Sequence, residues 1–197
     1  MPKITLDSRK IVVLGSPRVG KSSLVNQFVE NTFTQVYKPS MKTTFSKTIT
    51  LAGRDYPCQI IDTEGQDEFS QMNEHYAIGV HGYILVYAID SRISFEMVQV
   101  IYDKIISYSG QPVGEVPAII VGTKADLAMA MRRQVDSKEG EALAQQNKTA
   151  WIETSALRNE NVGRVFELCL EEIEKANKPP TPTTNKGSRC VVRVVLR

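Results

Sequence analysis

Apolar residues gather into short runs at residues 11–14, 59–61, 83–87 and 118–121, mostly β-branched or aromatic, with a Gly or Asp close behind each. Runs of this length and composition predict strands buried on both faces of a parallel sheet. Between them the apolar positions recur with helical spacing. Residues 22–30 form one predicted helix, and residues 94–107 another, with Phe95, Val98, Ile101, Tyr102 and Ile105 on one face. A third opens at Ser137, with Glu139 and Glu141 at its positive end and Leu143 and Ala144 turned inward. The last, residues 162–176, presents Val165, Phe166, Cys169, Leu170 and Ile173. Alternating strand and helix predicts an α/β fold with a mostly parallel sheet covered on both faces. Residues 45–51 and 56–61, joined by Ala52-Gly53-Arg54-Asp55, read instead as a hairpin that adds one antiparallel edge strand. A short strand is expected around Trp151 and Ile152.

The 197 residues are 42% hydrophobic and 23% charged, the profile of one soluble domain with a core large enough to fold alone. Its expected bounds are residues 8–176, after a flexible stretch at 1–7. From Asn177 the composition shifts, and Lys178-Pro179-Pro180-Thr181-Pro182 excludes a helix, so 177–197 reads as a disordered tail. The net charge of +2, with both signs interspersed, excludes the electrostatic footprint of a nucleic-acid binder. No apolar run approaches the roughly 18 residues of a membrane span, and Met1 to Lys10 lack the apolar centre of a secretory signal. Cys58, Cys169 and Cys190 lie far apart without metal-ligand spacing, so a reduced, cytoplasmic chain is expected. His75 and His81 read as structural, and Cys58 and Cys169 as core.

The strongest chemistry lies in Gly15-Ser16-Pro17-Arg18-Val19-Gly20-Lys21-Ser22, a full G-x-x-x-x-G-K-[ST] match between a strand and a helix. Its backbone N–H groups and the positive helix end hold phosphate oxygens. Lys21 is placed to reach the β- and γ-phosphates and Ser22 to ligate Mg²⁺. Arg18, Val19, Gly20 and Ser23 complete the candidate nucleotide contacts. This loop alone leaves ATP open. Thr123-Lys124-Ala125-Asp126 argues for guanine, because a carboxylate at Asp126 accepts both adjacent donors of that base and adenine offers no such pair. The Lys124 stem can lie over the ring. Ser155-Ala156 is placed to offer a backbone N–H to the guanine oxygen. Asp62-Thr63-Glu64-Gly65-Gln66 ends a strand. There Asp62 suits a Mg²⁺-bound water, the Gly65 N–H the γ-phosphate, and Gln66 the attacking water. Ser40, in the polar stretch 37–44, is a candidate second Mg²⁺ ligand. Both stretches read as switches that order around a γ-phosphate.

These motifs, in this order, resemble the Ras superfamily of small GTPases over about residues 8–176. The stretches 65–70, 82–87 and 94–101 resemble its Rheb subfamily most. The resemblance implies a P-loop NTPase three-layer sandwich with six strands and five helices. It implies a monomer that binds GTP or GDP with Mg²⁺ and hydrolyses GTP slowly. An exchange factor, a GTPase-activating protein and an effector would work through the two switches. It also implies that Phe33 stacks on the guanine, that Val36 and Tyr37 close over the nucleotide, and that signalling runs to the TOR kinase complex at an endomembrane surface.

Four departures bear on this. Pro17 stands where Rheb-like proteins carry arginine, where the finger of an activating partner would enter. Glu64 replaces the usual alanine; an ionised carboxylate about 4 Å from a phosphate charge costs roughly 4 kcal/mol at an effective dielectric near 20, which biases the switch toward GDP unless the side chain points away. Ser40 replaces threonine, keeping the hydroxyl and losing a packing methyl, while Lys38 and Lys42 alter the charge that effectors meet. Thr123 and Leu157 replace asparagine and lysine as in Rho-like members, so guanine recognition is expected to hold. An alternative reading is a guanine-nucleotide-binding scaffold whose hydrolysis Glu64 and Pro17 impair; an ATPase or kinase is argued against by Asp126. Cys190-Val191-Val192-Arg193 resembles a lipidation box, yet four more residues follow it, and such a signal acts only at the extreme C-terminus. Membrane association, at the cytosolic face of endomembranes, is expected only if Cys190 is prenylated.

Overall fold

The computed structural model describes residues 8–34, 42–65, 78–130 and 132–177. They build β1 (Arg9–Gly15), α1 (Lys21–Glu30), β2 (Thr43–Leu51), β3 (Arg54–Asp62), β4 (Gly82–Ala88), α2 (Arg92–Ser109), β5 (Ala118–Thr123), α3 (Ser137–Asn147), β6 (Ala150–Glu153) and α4 (Val162–Ala176), with a 3-10 helix at Ala125–Ala130. The sheet runs β2-β3-β1-β4-β5-β6. β2 pairs antiparallel with β3, and every other pair is parallel. This is the mostly parallel sheet with one antiparallel edge strand that the apolar runs predict. The resemblance implies five helices; four α-helices lie among the described residues, and residues 66–77 are outside them.

The buried strands alternate their side chains between two faces. Ile11, Val13, Ile84 and Val86 meet α1 and α4, where Phe28 stacks on Phe166 with ring centroids 3.9 Å apart. Val12, Leu14, Leu85 and Ile120 meet Val98, Ile101, Tyr102 and Ile105 of α2 and Ala144 of α3. Three layers result, and truncating a fully buried anchor such as Phe166 to alanine costs about 3–5 kcal/mol. Cys58 and Cys169 are core residues, and burial pushes the Cys58 thiol up to about 11. His81 is structural: its Nδ1 accepts the Lys10 N–H at 2.9 Å.

Local chemistry sets the element ends. α2 begins at Arg92, two residues before the predicted start at Ser94, because Ser91 caps it, accepting the Ser94 N–H at 3.3 Å. Asp136 and Glu139 close a capping box on α3. No side chain caps α1; Gly20, at φ 95, takes that position, and a helix start of this kind suits an anion. The hairpin turn is shorter than the four residues read from sequence. Ala52 and Gly53, at φ 50 and 77, form a two-residue turn, and Arg54 and Asp55 already pair with Leu51 and Thr50. Two successive positive φ angles match the twist of the strands, so the ladder continues to the turn. The parallel strands all end at one edge of the sheet, and the loops leaving β1, β3, β5 and β6 meet there, where open α/β sheets bind their ligands.

Candidate functional site

That edge holds a cleft of about 1070 Å³. Its phosphate end is the loop from β1 to α1. Arg18 in that loop has a left-handed backbone, φ 63, and its side chain is exposed. Val19 is buried in the core beneath the loop and is not among the residues that line the cleft. Lys21 is buried, and its Nζ donates to the Gly15 and Ser16 carbonyls, both at 2.9 Å. Burial lowers its pKa from 10.5 to about 8, against the pull of the Asp62 charge. Asp62 ends β3 within reach of both partners. Its burial raises its pKa, opposed by a hydrogen bond from Ser22 and by the Lys21 charge. Asp62 Oδ1 is buried and has no hydrogen-bond partner among the described residues. A buried carboxylate with an unpaired oxygen beside a serine hydroxyl suits a hard cation, and the chemistry of this donor set fits Mg²⁺, which takes one or two protein oxygens and fills its remaining positions with phosphate and water.

The chain beyond Asp62 is pinned on both sides. The buried Thr63 hydroxyl donates to the Val13 carbonyl at 2.7 Å. Gly65 abuts the phosphate loop so closely that a Cβ there would lie 2.4 Å from Pro17 Cγ and 2.5 Å from Pro17 Cα. Glu64, between them, is exposed.

The base end lies at the tips of β5 and β6. Thr123 is buried, with the carbonyls of Val19 and of Tyr87 as acceptors for its hydroxyl, the latter at 2.9 Å. Lys124 has a left-handed backbone, φ 60, and its Nζ lies 3.2 Å from Asp90 Oδ1. Asp126 accepts the Ser155 hydroxyl at 2.6 Å. The Ser155 N–H donates to the Glu160 carbonyl at 3.1 Å, closing a small bridge, so of the pair Ser155-Ala156 only Ala156 is left to offer an N–H to a ligand. Phe33, Ala156 and Leu157 line the walls here, with Phe33 37% exposed.

The structure thus brings Arg18, Gly20, Lys21, Ser22, Ser23, Phe33, Asp62, Gly65, Thr123, Lys124, Asp126 and Ala156 to one cleft, with Ser155 behind Asp126. Val36, Tyr37, Ser40, Gln66 and Cys190 lie outside the described residues. Sequence reasoning misses Asp90 and the Pro17–Gly65 contact. The Lys124–Asp90 pair spans 34 residues, and no local pattern announces it.

A triphosphate-sized cleft, cationic at a helix start and carboxylate-bearing at its far end, puts the protein in the class of P-loop guanine-nucleotide-binding proteins. The comparisons narrow the class. The chain matches the Ras family over residues 10–175. It is 50% identical over 187 residues to the GTP-binding protein rhb1 of Schizosaccharomyces pombe, covering 95% of this chain and 98% of that protein. It is 45% identical over 184 residues to the small monomeric GTPase RhbA of Aspergillus fumigatus, covering 93% and 96%. It is 44% identical over 168 residues to human GTP-binding protein Rheb, covering 85% and 89%. The chain belongs to the Ras family of small GTPases, in its Rheb subfamily, and is a GTP hydrolase. Among the described residues no helix is long and apolar enough to cross a membrane.

Proposed function

We infer that the protein switches between GDP- and GTP-bound forms and signals from the GTP form to the TOR kinase complex, in the manner its Rheb resemblance implies. Lys21 and the N-terminus of α1 hold the β- and γ-phosphates. Ser22 and Ser40 ligate Mg²⁺, and Asp62 holds one of its waters. The metal, when bound, neutralises phosphate charge. Asp126 reads the two guanine donors, with Ser155 orienting its carboxylate; Ala156 offers its N–H to the guanine oxygen, and Phe33 covers the ring. Gly65 meets the γ-phosphate, and Gln66 orients the attacking water. The stretches around Ser40 and Gln66 carry the surfaces read by exchange factor, activating protein and effector. Prenylation at Cys190 would place the switch on endomembranes; mass spectrometry of the native C-terminus decides between that and a cytosolic protein.

The observation that carries this reading is the Lys21–Ser22–Asp62 cluster with its unpartnered Asp62 oxygen, facing a carboxylate across one cleft. Its test is competition for a fluorescent GDP analogue in Mg²⁺. GTP and GDP should displace it and ATP should not, and chelation of Mg²⁺ should speed release. Equal competition by ATP removes the guanine reading. Single-turnover hydrolysis with and without an activating protein then separates a cycling switch from a scaffold.

A further inference from the structure

The base end carries an acid that belongs to none of the sequence motifs. Asp90 sits in the corner between β4 and α2, its side chain 17% exposed, with its two oxygens 3.2 and 3.4 Å from Lys124 Nζ. The corner is fixed by its neighbours. The Ile89 N–H donates to the Thr123 carbonyl at 3.1 Å. The Ile89 carbonyl accepts from the N–H groups of Gln134 and Val135 at 2.8 and 3.1 Å. Ser91, next in the chain, caps α2. A carboxylate on so rigid a mount anchors its partner. Lys124 is the opposite case: it stands on the loop leaving β5, in a left-handed backbone, with a long stem whose rotamer freedom must be lost before it can lie along a base.

We propose that Asp90 is a positioning residue of the guanine subsite, holding the Lys124 ammonium at the rim of the cleft so that the lysine stem lies ready across the base. The inference rests on the reading of the cleft as a guanine-nucleotide site. Its physical content is preorganisation: the ion pair removes conformations of Lys124 that a bound base would otherwise have to suppress. Loss of Asp90 therefore shows in nucleotide retention. Because the lysine side chain is 35% exposed, salt screens the pair, and retention acquires a salt dependence that belongs to these two residues.

The test loads the full chain with a fluorescent GDP analogue in Mg²⁺ and chases it with unlabelled GDP at low and high chloride. Asp90→Ala should release GDP about tenfold faster at low salt, as expected when one partner of a partly buried pair is removed. Asp90→Asn should fall between the two and lose most of the wild-type salt dependence. In a Lys124→Ala background, Asp90→Ala should add less than about twofold, because the two residues act as a unit. Release from Asp90→Ala at the wild-type rate overturns the proposal. So does an equal acceleration with and without Lys124, which marks a merely structural role. Should Asp90→Ala fail to fold, the salt dependence of Asp90→Asn decides: one as steep as wild type overturns the proposal. Wild type that retains no GDP overturns the reading of the cleft, and the inference with it; wild type that retains GDP beside insensitive variants overturns the inference alone.

Discussion

At the base end of the cleft the functional side chains are already bonded to the scaffold, whereas at the phosphate end the charged groups make do with loop carbonyls or have an oxygen left over. Thr123 is tied to the carbonyls of Val19 and Tyr87, Lys124 to Asp90, and Asp126 to Ser155. Lys21 instead donates to the carbonyls of Gly15 and Ser16, is depressed to about 8 by burial, and lies beside an Asp62 oxygen without a partner. The difference teaches where each end takes its order from. The base contributes neutral, directional hydrogen bonds, which reward groups held in place before binding. The phosphates contribute charge, which compensates groups that the fold leaves electrostatically unfinished.

The comparison breaks most readily at Lys21. Lys21→Ala leaves the bound phosphates without their buried cation, and GDP affinity should fall on the order of 1000-fold, since an uncompensated buried charge costs about 3–5 kcal/mol. Thermal unfolding of the nucleotide-free protein should change little or improve, because the depressed lysine opposes the fold it sits in. A large loss of apo stability would show that Lys21 organises the loop instead of awaiting phosphate. At the other end, Asp126→Ala should weaken GDP on the order of 100-fold, through loss of charge-assisted hydrogen bonds, and should shrink the preference over ADP by a similar factor. A preference over ADP left intact by Asp126→Ala would mean that the base is read elsewhere.

Much of the fold and of the phosphate loop was legible from sequence, for a physical reason. Strands and helices announce themselves through local periodicity, so α4 spans the residues 162–176 that its apolar stripe predicts. The phosphate loop is legible because its glycines, lysine and serine act through adjacent backbone atoms. Capping by Ser91 shifted the start of α2, and the polar pair Arg54-Asp55 looked like loop although it pairs across the hairpin. The ties that distinguish the two ends were illegible. Thr63 reaches Val13 across 50 residues and Lys124 reaches Asp90 across 34, contacts set by strand order and not by neighbours in the chain. The packing of Gly65 on Pro17 likewise follows from β1 and β3 being adjacent strands.

A smaller effect sharpens the contrast through pH. In the nucleotide-free protein Lys21 loses its proton near pH 8, while phosphate binding demands the charged form. Binding above that pH must therefore take up a proton, and GDP affinity should fall by up to about tenfold per pH unit until the bound-state pKa is passed. Stability moves the other way. The folded pKa lies below the unfolded 10.5, so the unfolded chain holds the extra proton between the two values, and stability of the nucleotide-free fold should rise with pH from about 8 to 10.5. Calorimetry in buffers of different ionisation heat measures the uptake. None near pH 9 would place the lysine in a hydrated setting, unlike the buried one it occupies.

The smallest effect belongs to Glu64. Its backbone has little room to move: Thr63 is bonded to Val13 on one side and Gly65 rests on Pro17 on the other. Only the side chain can swing, and it is exposed. A carboxylate in water-like surroundings interacts with a phosphate several-fold more weakly than one in the protein interior, and salt weakens it further. Glu64→Ala should therefore raise the ratio of GTP to GDP affinity by no more than about threefold. Competition titrations of both nucleotides against wild type and variant measure the ratio. A rise above about tenfold would mean that the carboxylate turns inward when a γ-phosphate arrives, and that the phosphate end resists GTP as well as awaiting it.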